Sequence, residues 1–78
     1  MKKYIAEEIE NIEKNILLID KKIDNDDLSP LGVSIAVSIK QTLQEVEEVF
    51  KNKESDVLLV ENIYSQLPKL YLAIGDIN

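Results

Sequence analysis

The chain has no histidine and no cysteine among its 78 residues, and two glycines and two prolines. Without histidine the commonest general base is missing, and without cysteine the best thiol nucleophile. The serines have no base that the sequence places beside them, and the acids fall on solvent faces and in turns. The chain is therefore read as non-catalytic, with no cofactor and no metal implied. No disulfide staple is available either, which leaves the redox compartment undetermined. Lysine is the sole strongly basic residue: nine stand against fifteen acids, for a net charge of −6. That balance opposes binding to nucleic acid or to an anionic membrane. Long apolar runs are scarce as well. The longest charge-free stretch, Leu28 to Ile39, contains Pro30 and is too short to span a bilayer, so no membrane insertion is expected. The opening MKKYIAEEIE carries acids where a secretion signal needs its apolar segment, and the cytoplasm is the expected location.

What the chain does have is periodicity. Ile5, Ile9, Ile12, Ile16, Ile19 and Ile23 recur at steps of four and three, which puts six β-branched side chains on one face of a helix. The spacing predicts helix 1 from about Lys3 to Asp24. Glu7, Glu8 and Glu10 near its start and Lys21 and Lys22 near its end complement the helix dipole. Leu17 and Leu18 flank the stripe and widen it. Asp24-Asn25-Asp26-Asp27 then breaks the pattern with turn formers.

Ser29 is a natural N-cap, and Pro30 suits the first helical position, where its missing N–H is no loss. Helix 2 is expected from Pro30 to about Lys51, with Gly32, Ala36, Ile39, Leu43, Val46 and Phe50 as its stripe and Ile35 and Val49 widening it. Val33, Ile35, Val37 and Ile39 also alternate like a strand, but the Ser-Pro start and the helical KQTLQEVEEVF decide for helix. After the turn at 51–55, with Ser55 or Asp56 as cap, helix 3 carries Val60, Ile63, Leu67, Leu70, Ile74 and Ile77. Pro68 inside it removes a hydrogen bond and crowds the carbonyl of Tyr64, so a kink or break is expected there. Gly75 is the expected stop. The fold class that follows is all-α: one domain over 1–78, a small antiparallel three-helix bundle whose third helix is kinked at Pro68. A chain this short buries only roughly 60% of its unfolded surface, so self-association would add needed stability.

Candidate chemistry is thin. The run Asp24–Asp27 has oxygen ligands, but Leu28 and Ser29 fall at the fifth and sixth places of a calcium loop, where a ligand and a glycine belong. A solvated turn is the better reading. Glu45, Glu47, Glu48 and Glu54 read as a solvated helix face and not as a mimic of nucleic-acid phosphates. Tyr64 and Tyr71, seven apart with Val57 on the same flank, suit an interface and the rim of a core equally. If helix 3 bends at Pro68, these three are expected to aim at a neighbour and not at helix 1.

The informative excess is apolar surface on the helix backs. Val33 and Val37 point away from the stripe of helix 2, and Leu58 and Leu72 away from that of helix 3. Recurrence on every helix calls for a cover. The expected partner-binding residues are therefore Val33, Val37, Leu58, Tyr64, Tyr71 and Leu72. In size, helicity and composition the chain is similar to bacteriocin immunity proteins and to phage-encoded inhibitors of host defence, though no motif carries the likeness. Abundant Lys, Ile and Asn fit an AT-rich bacterial or phage genome. Three classes of function follow. One is a self-associating inhibitor or adaptor that occupies a protein partner's surface. The second is an oligomer holding a small anionic ligand, such as a nucleotide, with Lys3, Lys14, Lys22 or Lys69 supplying charge. The third is an immunity role, which requires contact with a membrane complex.

Overall fold

The isoleucine stripe becomes the centre of the molecule. The computed structural model describes residues 2–78, and in it α1 (Lys3–Asp24), α2 (Pro30–Asn52) and α3 (Val57–Gly75) form an up-down-up bundle measuring 39 × 17 × 17 Å. Ile5, Ile9, Ile12 and Ile19 of α1 are buried, and Ile16 and Ile23 are half-buried at the edge of the same core. Ala36, Leu43, Val46 and Phe50 of α2 and Val60, Leu67 and Ile74 of α3 close over them. Phe50 is fully enclosed; full burial of one such side chain contributes about 1.5–3 kcal/mol. The segment 33–39 that alternates like a strand is helix throughout.

The ends are fixed by local chemistry. Ser29 Oγ accepts from Gly32 N–H at 3.1 Å and caps α2, with Pro30 at its first helical position. Of the two residues expected to cap α3, it is Asp56 that does so, accepting from Leu59 N–H at 3.3 Å. Asp26 takes a left-handed φ of 58° in the turn after α1, a conformation that aspartate tolerates better than most residues. At one end of the bundle the Lys2 N–H donates to Glu54 Oε1 at 2.6 Å, and at the other Lys22 Nζ donates to the Ile74 carbonyl at 3.2 Å. These two contacts fix α1 and α3 as parallel neighbours. The chain after α3 folds back onto the start of α2, where the Asn78 carbonyl accepts from Ser29 N–H at 3.1 Å and from Ser29 Oγ at 2.8 Å. Gly32 is what permits this, because a Cβ there would collide with the Asn78 carbonyl.

Four expectations need correcting or refining. The helix is not broken at Pro68: α3 runs without interruption from Val57 to Gly75, and Pro68 lies on its exposed side. It ends at Gly75 but not through a left-handed glycine. The Asp76 and Ile77 N–H groups instead reach back to the Ala73 and Ile74 carbonyls. Ile35 does not widen the buried face of α2 but stays 44% exposed. It rims an open groove with Leu31 and with Ala73 and Ile77 near the end of α3, outside the line of Gly32, Ala36 and Leu43 that α2 buries. Lastly, Tyr64 and Tyr71 aim at α1. The ring of Tyr64 meets that of Tyr4, and the Tyr71 hydroxyl reaches Glu8.

Candidate functional site

α3 differs from its neighbours in carrying little charge and in holding apolar residues outside its inward stripe. Its sequence, VLLVENIYSQLPKLYLAIG, holds two charged residues, Glu61 and Lys69. Its inward stripe is covered by α1 and α2, and its flank toward α1 is covered by the tyrosines. The ring of Tyr64 meets that of Tyr4 edge-on, with centroids 5.5 Å apart at 89°. Edge-to-face geometry sets the positive rim of one ring against the negative face of the other. One turn beyond, the Tyr71 hydroxyl donates to Glu8 Oε1 at 3.1 Å. Burial of the phenol, then the negative charge of Glu8 and the hydrogen bond to it, push Tyr71 well above the ordinary tyrosine value of 10.0.

The third side of α3 has no cover. Leu58, Ser65 and Leu72 recur at steps of seven, which is nearly two turns, and so form one line down its outer back. Leu58 is 81% exposed and Leu72 72%. Glu61 and Lys69, both exposed, stand on either side of that line.

The six residues expected at a contact surface are thus divided among different surfaces. Leu58 and Leu72 share the outer line of α3. Tyr64 and Tyr71 close the seam between α3 and α1, Tyr71 half-buried and Tyr64 partly open to solvent. Val33 and Val37 lie elsewhere, on the flank of α2 that continues to Lys40, whose Nζ pairs with Asp20 of α1 at 2.7 Å. Val37 is exposed there, but Val33 is half-buried and does not face fully outward, because that flank leans on α1. Leu17 and Leu18 of α1 are exposed on opposite sides of its stripe.

Tyr4 was not among the expected contact residues, and its position beside the isoleucine stripe was a usable signal. Its partner was not, since pairing with Tyr64 depends on α1 and α3 running parallel. Leu31 was the other omission: it stays 71% exposed at the groove beside Ile35. That groove, about 380 Å³, and a second of about 360 Å³ along Gln41, Gln44, Glu45, Glu48 and Val49 carry acids and no lysine. Among the described residues no group of three His, Cys, Asp or Glu side chains is placed to hold a metal ion, and no helix is long and apolar enough to cross a membrane. No family model, curated protein or solved structure compared with the chain matches it.

Proposed function

We propose that this chain is a non-catalytic binding protein of the inhibitor or adaptor type, encoded by a bacterium or phage and acting in the cytoplasm, that works by occupying a partner's surface. The observation that carries the reading is the outer back of α3, where Leu58 and Leu72 stand almost fully in water, the two most exposed large apolar side chains among the described residues. Each such side chain, once buried by a partner, contributes about 1.5–3 kcal/mol to the contact. Sequestration of a small anion is less well supported, since both grooves on the single chain are lined by acids and by no lysine. That reading therefore needs pockets formed between copies. The test is purification of the tagged protein from its native host, with mass spectrometry of co-eluting proteins and small molecules. A protein that co-elutes with the parent and is lost with Leu58→Lys supports the proposal. Recovery of a stoichiometric small anion with no protein would overturn it in favour of sequestration.

A further inference from the structure

The outer line of α3 has a symmetry that a foreign partner would not require. Ser65 is its midpoint. Glu61 and Lys69 lie four residues to either side of it, and Leu58 and Leu72 lie seven residues to either side. Read outward from Ser65 in either direction, the line therefore meets a charge of one sign or the other and then a leucine. A second α3 laid antiparallel across this line sets the leucines of one copy at the height of the leucines of the other. It also sets Glu61 of each copy at the height of Lys69 of the other. A parallel arrangement would instead put Glu61 level with Glu61 and Lys69 level with Lys69.

We propose that two copies of this chain form a dimer by packing the outer backs of their α3 helices antiparallel, about a two-fold axis at Ser65. The occupant of the exposed face is a second copy because the pattern is self-complementary in both shape and charge, as an interface that uses the same patch twice must be. Neither Glu61 nor Lys69 makes an ion pair or hydrogen bond within the chain among the described residues, so both are available across the axis. The midpoint also suits close approach. Ser65 is small, and its hydroxyl already donates to the Asn62 carbonyl at 2.8 Å, so covering it leaves no donor without an acceptor. Asn62 is likewise engaged, accepting from Gln66 Nε2 at 3.2 Å. The net charge of −6 on each copy opposes association at long range, but at physiological salt that repulsion reaches only about 8 Å. The inference rests on the contact-protein reading for its biological sense and not for its test.

Light scattering on a sizing column, with the purified chain at about 0.15 M salt, decides the matter. The parent runs as a dimer. Leu72→Lys removes two leucines per dimer and weakens self-association by about a hundredfold or more, with helicity retained. Glu61→Lys and Lys69→Glu each weaken it by about tenfold, because each sets like charges at the same height. An equal mixture of those two variants regains the dimer, since every cross-pair is then opposite in sign. The chain has no cysteine, so Ser65→Cys carries a single thiol at the axis, and a mild added oxidant that takes the two electrons and two protons of a thiol pair links the copies by a disulfide. A parent that is monomeric at high concentration overturns the dimer and leaves the foreign-partner reading to the co-purification above. A dimer that both charge variants leave unchanged, that their mixture fails to restore, or that Ser65→Cys does not link, overturns the antiparallel geometry.

Discussion

α1 and α3 are parallel neighbours of similar length with opposite surface chemistry. α1 carries ten charged residues in 22 and α3 two in 19. On α1 the apolar residues are gathered into one stripe and the charges hold the remainder of the helix in water. On α3 the outer side is polar but nearly uncharged, and Leu58 and Leu72 stand on it, outside what the core can cover. The difference teaches that an inward stripe alone reports the fold, while apolar residues left over after the stripe is satisfied report contact. It also explains why the seam between these two helices is closed by tyrosine and not by isoleucine. Tyrosine presents a ring to the apolar side of α3 and a hydroxyl to the charged flank of α1.

Mutations can break this comparison in order of size. Ile12→Asp places a charge at the centre of the α1 stripe, a fully buried position, and costs several kcal/mol, comparable to the whole stability of such a domain. Loss of the helical circular-dichroism signal is expected; a variant that melts like the parent would show that the stripe does not hold the fold. Gly32→Ala comes next. Its methyl meets the Asn78 carbonyl, so the chain after α3 must lift off α2 at a cost of about 1–3 kcal/mol, read as a lowered urea midpoint.

Tyr71→Phe removes the hydrogen bond to Glu8 and costs about 1 kcal/mol. It also changes the alkaline limb. The phenol holds its proton more tightly in the folded chain than in the unfolded one, so its contribution is complete below the ordinary value of 10.0 and declines as pH rises above it. The parent should lose stability above about pH 10 more steeply than Tyr71→Phe; equal slopes in urea melts from pH 9 to 11 would remove Tyr71 from the account. The smallest effect belongs to the outer back of α3. Leu58→Lys should alter the stability of the isolated chain by no more than about 0.5 kcal/mol, the opposite of a leucine in the core. A large loss of monomer stability would show that Leu58 belongs to the fold after all.

The bounds of all three helices were legible to within a residue or so, because steps of three and four recur through Ile5–Ile23, Gly32–Phe50 and Val60–Ile77. The cap at Ser29 was legible from side-chain chemistry, and that of α3 was narrowed to Ser55 or Asp56. Where reading failed, the missing quantity was how many neighbours surround an element at a given height. Ile35 stands beside the stripe of α2, but it faces an open groove rimmed by Ala73 and Ile77 and not a packed helix face. Tyr64 and Tyr71 could be placed on one flank of α3, yet which helix that flank would meet depended on the parallel course of α1. At Pro68 a kink or a break was expected, and the break does not occur, since a helix held along its length by Val60, Leu67 and Ile74 tolerates one absent hydrogen bond on its exposed side.

The serine that caps α2 has one further consequence. Its hydroxyl accepts from Gly32 N–H and donates to the Asn78 carbonyl, so the first turn of one helix and the segment following another share a single atom. When residues 76–78 peel away, that hydroxyl is free to rotate toward water, and the cap it provides weakens at the same moment. In hydrogen exchange the amides of Ser29 and Gly32 should therefore open together with the tail, as one cooperative unit, although 49 residues separate Ser29 from Asn78 along the chain. Protection lost at these two amides in Ser29→Ala, and also in a chain whose Asn78 end is held away by Gly32→Ala, would mark this end of the bundle as the place where the native state first comes apart.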